Sequence, residues 1–390
     1  MDVRIHPGPL SGTVTPPPSK SMAHRAVLAM TLAGGQGTIA NLDDSQDIQA
    51  TRRCVAALKA PRPAGALPAL DCGESGSTLR FLIPVALAAA GGGVFTGHGR
   101  LMERPQQPYF DIFDEKGIFY EQRDGVLTVR GRLPAGEYRL PGNVSSQFVT
   151  GLLYALPLLP EDSSIEITTP LESKGYVDMT LDMLAKFGVT VENRDYETFF
   201  IPGGQTYTAR DVTVESDWSQ AGFWYAAAFL DNPVTVLGLD PDSTQGDRVV
   251  ASHYWTLAKP GDVDIDVSDC PDLLPPLAVM AAVRSGTTHF VNAARLRIKE
   301  SDRLATVHHL LTALGGQVEE GPDSLTVHGV PRLSGGTVDG ANDHRIVMAA
   351  AIAATRSTAP VTILGAQAVN KSYPSFWEDY KQLGGVFDVL

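Results

Sequence analysis

Cysteine is scarce. Cys54, Cys72 and Cys270 are the only three, and no two stand in C-x-x-C spacing. That excludes a disulfide framework and points to a reducing compartment. No H-E-x-x-H stretch or Cys/His cluster occurs, so no metal site is read and no cofactor is expected. Positive charge is also short: 31 Lys and Arg stand against 44 Asp and Glu, for a net charge of -13. Nucleic acid is therefore not an expected partner, because backbone phosphates demand a broad basic surface. Long hydrophobic runs are missing. The stretch from Phe81 to Phe95 is broken by Pro84 and several glycines and falls short of the roughly 18 residues that suggest a membrane span. The opening MDVRIHPGPLSGTV lacks an apolar signal region and the Ser and Arg of a transit peptide. A cytoplasmic protein with no membrane partner is expected.

What is present is a repeated pattern. At 390 residues the chain exceeds one ordinary core, so two domains are expected. Six times a polar motif opens an apolar segment: PSKSMAHRAVLAM from Pro18, CGESGSTLRFLIPVAL from Cys72, PGNVSSQFVTGLLYAL from Pro141, ESDWSQAGFWYAAAFL from Glu215, CPDLLPPLAVMAAV from Cys270 and ANDHRIVMAAAIAA from Ala341. The first step in each half is about 54 residues and the second about 70, so the chain reads as two halves of three similar units. Each apolar segment is hydrophobic nearly all round, which predicts a buried helix. Between them lie amphipathic helices such as DIQATRRCVAALKA and SDRLATVHHLLTALGG. Short alternating strands such as VLTVRG, SIEITTP, THFVNA and PVTILGA also occur. An α/β mixture with helical cores and sheet outside follows.

The openings carry the chemistry. A helix start exposes unpaired N–H groups and partial positive charge, and so receives anions. These starts are rich in Ser and Gly (Ser19, Ser21, Gly73, Ser75, Gly76, Ser77, Thr78, Ser145, Ser146) and add Lys20, Arg25, Arg80, His344 and Arg345. One such opening reads as ordinary capping, and Lys299 with Arg303 in ARLRIKESDRL reads equally as a surface salt-bridge lattice. Arg104 in MERP and Lys371 in NKSYPSF read singly as surface cations. Six openings of this kind beside dry segments point instead to a small anionic ligand.

In order, PSKSMAHR, ESGSTLR, MERP, NVSSQF, ESKGYVDMT, ESDWS, CPDLLP, KESDRL, NDHRIVMA and NKSYPSF resemble the 5-enolpyruvylshikimate-3-phosphate synthase family. The resemblance covers essentially the whole chain. It implies the enolpyruvyl transferase fold, a two-domain inside-out α/β barrel in which each domain has three βαβαββ units with buried helices. One domain would be discontinuous, residues 1–16 plus 215–390, and the other would span 17–214. The hinge would lie near 16–18 and 211–214, with the active site in the interdomain cleft. The implied reaction moves the enolpyruvyl group of phosphoenolpyruvate to the 5-hydroxyl of shikimate 3-phosphate through a tetrahedral intermediate, and phosphate leaves.

By the same resemblance Ser21, Arg25, Ser145, Ser146, Ser173 and Tyr176 would hold shikimate 3-phosphate. Lys20, Gly76, Arg104, Gln147, Arg303, His344, Arg345 and Lys371 would hold phosphoenolpyruvate. Lys20, Gln147, Asp272 and Lys299 would also meet shikimate 3-phosphate. Asp272 would take the 5-hydroxyl proton, and Glu300 and Lys20 are both candidate proton donors to C3. The partners would be these two small molecules, and the chain a monomer. Four positions depart from the family pattern: Glu74 replaces a frequent Asn, Ser77 a frequent Thr, Phe81 a common Pro, and Arg295 an Asn that often contacts the shikimate phosphate. Gly76 leaves room for the family inhibitor glyphosate. Two alternatives share the fold. A UDP-N-acetylglucosamine enolpyruvyl transferase would be expected to carry Lys-Asn where Lys20-Ser21 stands and a loop cysteine near Arg104. A catalytically silent anion-binding protein would keep the cations without turnover.

Overall fold

The six apolar segments are helices in the computed structural model, which describes residues 1–390. They are Lys20–Leu32, Gly76–Ala90, Ser146–Ala155, Trp218–Phe229, Leu274–Val283 and His344–Ala354. Every residue of His344–Ala354 is buried, as expected for a helix without a polar face. Gly188 and Gly315 follow amphipathic helices at φ 77° and 76°, the left-handed stop that glycine permits. No helix is long and apolar enough to cross a membrane.

The chain divides into two units, Met1–Ser19 with Glu215–Leu390, and Lys20–Val214. Each has its own hydrophobic core. Trp224, Ile346 and Phe376 lie in the first, and Phe81, Phe148 and Leu153 in the second. Pro17, Pro18 and Ser19 belong with the first unit, not with the second as the 16/17 boundary would have it. Backbone bonding explains this: Asp217 N–H donates to Pro17 O at 2.9 Å and Ser19 N–H to Glu215 O at 2.7 Å, and Pro18 bridges Ser216.

Four sheets share one plan, a parallel pair followed by two antiparallel strands. In the second unit these are Ala69–Asp71, Gly92–Thr96, Val126–Arg130 and Phe119–Arg123, then Gly136–Leu140, Ser163–Ile167, Thr198–Ile201 and Glu192–Arg194. In the first unit they are Val263–Asp266, Thr287–Val291, Leu325–His328 and Gln317–Glu320, then Gly336–Asp339, Val361–Leu364, Val3–His6 and Val386–Val389. A buried helix makes each parallel crossover, as parallel pairing requires a long connection. The third repeat of each unit is reduced to a two-stranded parallel pair, Ile39–Ala40 with Val212–Thr213 and Gly12–Val14 with Val234–Val236. These are the repeats through which the chain passes from one unit to the other.

Helix Gly76–Ala90 contains Pro84, which has no N–H for the carbonyl four residues back. Tyr109 fills that place. Its hydroxyl lies 2.8 Å from Arg80 O and 3.0 Å from Phe148 O. Helix Ser146–Ala155 approaches closely at Gly151, where a Cβ would lie 2.4 Å from Arg80 O and 2.3 Å from Tyr109 Oη.

Candidate active site

In the second unit, Lys20 opens its helix and its Nζ lies 2.7 Å from Asp47 Oδ2. Arg25 is buried one turn further on. Its donors reach Ser21 O at 2.8 Å, Thr180 Oγ1 at 2.9 Å and Tyr176 O at 2.7 Å. Arg25, Ser21 and Tyr176 are thus brought together, but through carbonyls of the last two. Phe81, the departure from Pro, lies under Arg25 with its ring centre 5.2 Å from the guanidinium carbon. Burial pulls Arg25 down to about 10, so it stays charged at neutral pH.

Ser145 caps helix Ser146–Ala155, its Oγ accepting Gln147 N–H at 3.3 Å. The Gln147 amide donates to Ser77 Oγ at 3.0 Å and accepts from Arg80 Nη1 at 2.9 Å. Arg80 Nη2 holds Pro105 O at 3.0 Å, fixing the residue beside Arg104. The Arg104 guanidinium lies against Gly76, where a Cβ would sit 2.7 Å from Nη1. Arg104 is only 7% exposed, and its buried Nε has no partner. Ser173, at φ 58°, begins helix Lys174–Lys186, and its carbonyl accepts Tyr176 N–H at 3.0 Å. Glu74 turns onto Gly99, where a Cβ would lie 2.5 Å from its Oε2.

In the first unit, the turn Pro271–Leu273 places Asp272 at the start of helix Leu274–Val283. Three cations converge on its carboxylate. Arg303 Nη1 is 2.6 Å and Lys299 Nζ 3.3 Å from Oδ1, and Arg345 Nη2 is 3.0 Å from Oδ2. Arg303 also meets Glu300 at 2.7 Å and Asp343 at 2.9 Å. Asp343 caps helix His344–Ala354 by accepting Arg345 N–H at 3.0 Å. His344 is buried, its Nδ1 3.9 Å from Asp343 Oδ1. Lys371 donates to Asn342 O at 2.5 Å. Ala341 and Asn342 both have positive φ, and such strain clusters at functional sites.

Burial pulls Lys299 down to about 8, with Asp272 opposing and Arg303 assisting. Buried Asp247 is pushed up to about 6, first by burial and then by Asp272, against Arg345. A pair of unit charges near 4 Å is worth about 4 kcal/mol at an effective dielectric of 20. The cations around Asp272 therefore offset its negative charge, and an incoming phosphate or carboxylate would compete for the same groups.

A sequence profile of the EPSP synthase family, 3-phosphoshikimate 1-carboxyvinyltransferase, matches residues 5–380. The chain belongs to this family. It is 46% identical to the 3-phosphoshikimate 1-carboxyvinyltransferase of Clostridium kluyveri, over 99% of this chain and 98% of the relative. It is 44% identical to that of Clostridium novyi, over 99% and 98%. Among solved structures, the EPSP synthase of Acinetobacter baumannii superposes with a TM-score of 0.79 at 24% identity, covering 99% of both chains. That likeness supports the enolpyruvyl transferase fold.

For this member of the EPSP synthase family, sequence reasoning missed the residues that hold the cations. Asp47 pairs with Lys20, and Asp343 pairs with Arg303. Neither acid stands out in the sequence, because capping and pairing leave the same local signature. Arg80 was visible as a cation, but its grip on Gln147 and Pro105 was not. Asp247, in the stretch QGDRVV, gave no signal of burial.

Proposed function

We propose that the protein transfers the enolpyruvyl group of phosphoenolpyruvate to the 5-hydroxyl of shikimate 3-phosphate and releases phosphate, a step of aromatic amino acid biosynthesis. Family membership supports this over UDP-N-acetylglucosamine as acceptor. One observation carries the chemical reading: the Asp272 carboxylate lies among Lys299, Arg303 and Arg345. That pairs a base with cations suited to a substrate bearing phosphate and carboxylate.

In this reading Ser21, Arg25, Ser145, Ser146, Ser173 and Tyr176 bind shikimate 3-phosphate. Lys20, Gly76, Arg104, Gln147, Arg303, His344, Arg345 and Lys371 bind phosphoenolpyruvate, and Lys299 serves both. Asp272 takes the 5-hydroxyl proton as the oxygen attacks C2. Protonation at C3 falls to Glu300 or Lys20. Phosphate then leaves C2 of the tetrahedral intermediate while a proton leaves C3 to a neighbouring base, which restores the double bond of the enolpyruvyl ether. Positioning and fixed charges supply most of the rate. The protein acts as a cytoplasmic monomer, for which light scattering behind a sizing column is the check.

The deciding experiment mixes purified protein with both substrates and follows inorganic phosphate and product mass. One phosphate per enolpyruvyl ether is expected. No release, or release only with UDP-N-acetylglucosamine, overturns the reading.

A further inference from the structure

Four buried side chains of the second unit form one hydrogen-bonded line. His24 Nδ1 lies 2.7 Å from Thr51 Oγ1, and Thr51 Oγ1 lies 2.6 Å from Thr78 Oγ1. Thr78 Oγ1 donates to Ser75 Oγ at 2.8 Å. None of the four is more than 3% exposed. The line runs from helix Lys20–Leu32 across helix Gln46–Lys59 to the opening of helix Gly76–Ala90.

Proton counting gives the line a direction. A hydroxyl has one proton to donate. Thr78 gives its proton to Ser75, so it accepts from Thr51. Thr51 has then no proton for His24, and its other approach, to Asp47 O, is longer at 3.4 Å. The proton between His24 and Thr51 therefore sits on Nδ1. A second observation agrees. His24 Nε2 is buried without a partner, so a proton there would be a buried donor with no acceptor. The ring is neutral, since burial, Lys20 and Arg25 hold it well below its ordinary range.

At the far end, Ser75 Oγ accepts from Thr78 Oγ1 and also from Thr78 N–H at 3.2 Å. Its two lone pairs are filled, and its own proton is left to donate. The next residue is Gly76, against which Arg104 is seated with its buried Nε unpartnered.

We infer that the Ser75 hydroxyl is a further oxyanion donor beside Gly76 and Arg104, and that His24 sets its direction through Thr51 and Thr78. The ligand group is a phosphate or carboxylate oxygen, which under the reading above belongs to phosphoenolpyruvate. Ser75 is then a binding residue, and His24, Thr51 and Thr78 are positioning residues.

Ser75→Gly is the first test, because glycine keeps most of the capping preference while removing the hydroxyl. The Michaelis constant for phosphoenolpyruvate should rise about tenfold, as for loss of a charge-assisted hydrogen bond. That for shikimate 3-phosphate and the melting temperature should change little. Thr78→Val frees the Ser75 proton to turn inward and should give a smaller rise of the same kind. Nitrogen-15 NMR of the wild-type imidazoles, with His24 assigned by its loss in His24→Gln, should show the Nδ1–H tautomer. Titration with inorganic phosphate and with pyruvate, comparing wild type and Ser75→Gly, tells which oxyanion is held. Weakened binding of either supports the inference. An Nε2–H tautomer, or unchanged anion binding and Michaelis constants in Ser75→Gly, overturns it. A wild type that releases no phosphate refutes the function, while the tautomer and the titrations still decide this inference.

Discussion

Arg303 Nη1 lies 2.6 Å from Asp272 Oδ1. Arg345 and Lys299 lie on the same carboxylate, so under the proposed reading substrate anions would compete with Asp272 for all three cations. On the proposed reading Asp272 is the general base, and Asp272→Asn keeps its shape while removing that function. Its kcat should fall on the order of a hundredfold or more, the usual range for a lost general base. The Michaelis constant for phosphoenolpyruvate should not rise, since an amide competes less for Arg303 and Arg345. Phosphate release measures both, and wild-type turnover would remove Asp272 from its role.

Lys299 should give substrate affinity an alkaline limb. Its proton leaves near pH 8 in the folded protein and near 10.5 in the unfolded chain. Between those values the unfolded state binds more protons, so this group's contribution to stability rises with pH. Under the proposed reading its positive charge serves an anionic substrate, and that charge is lost as pH rises through about 8. Michaelis constants should therefore climb above pH 8, and Lys299→Arg should move the limb to higher pH. A limb that stays in place belongs to another group.

Gly76→Ala places a methyl 2.7 Å from Arg104 Nη1. A flexible guanidinium can retreat, so the fold should survive, but the cation leaves its seat. The Michaelis constant for phosphoenolpyruvate should increase about tenfold, in line with a displaced charged hydrogen-bond donor. Initial rates at varied phosphoenolpyruvate, with shikimate 3-phosphate saturating, provide the check. An unchanged constant would show that Arg104 works from a different position.

Gly151→Ala is a stability change. The added carbon meets the Arg80 carbonyl at 2.4 Å, and backbone cannot swing aside. The substitution should destabilise by about 2 kcal/mol, typical of an overpacked core. Urea unfolding would measure it, and an unmoved midpoint would mean that the two helices separate easily.

Much of the architecture was legible. THFVNA, PVTILGA, VLTVRG and SIEITTP become Thr287–Val291, Val361–Leu364, Val126–Arg130 and Ser163–Ile167, because alternating β-branched residues suit a half-buried sheet. The six helices were legible because segments without a polar face have nowhere to go but inside. The cations were legible as residues, but their partners were not. Asp47 is distant in sequence from Lys20, and only the fold brings them to 2.7 Å. Asp343 caps its helix, yet it also grips Arg303. Local pattern carries propensity, whereas ion pairing depends on which elements become neighbours.

Strand Val3–His6 is paired on one side with Val361–Leu364 and on the other with Val386–Val389. The consequence is temporal. Residues 20–214 contain everything their own core requires and can close during translation. Strand Val3–His6 must wait, unflanked, until both Val361–Leu364 and Val386–Val389 have been made.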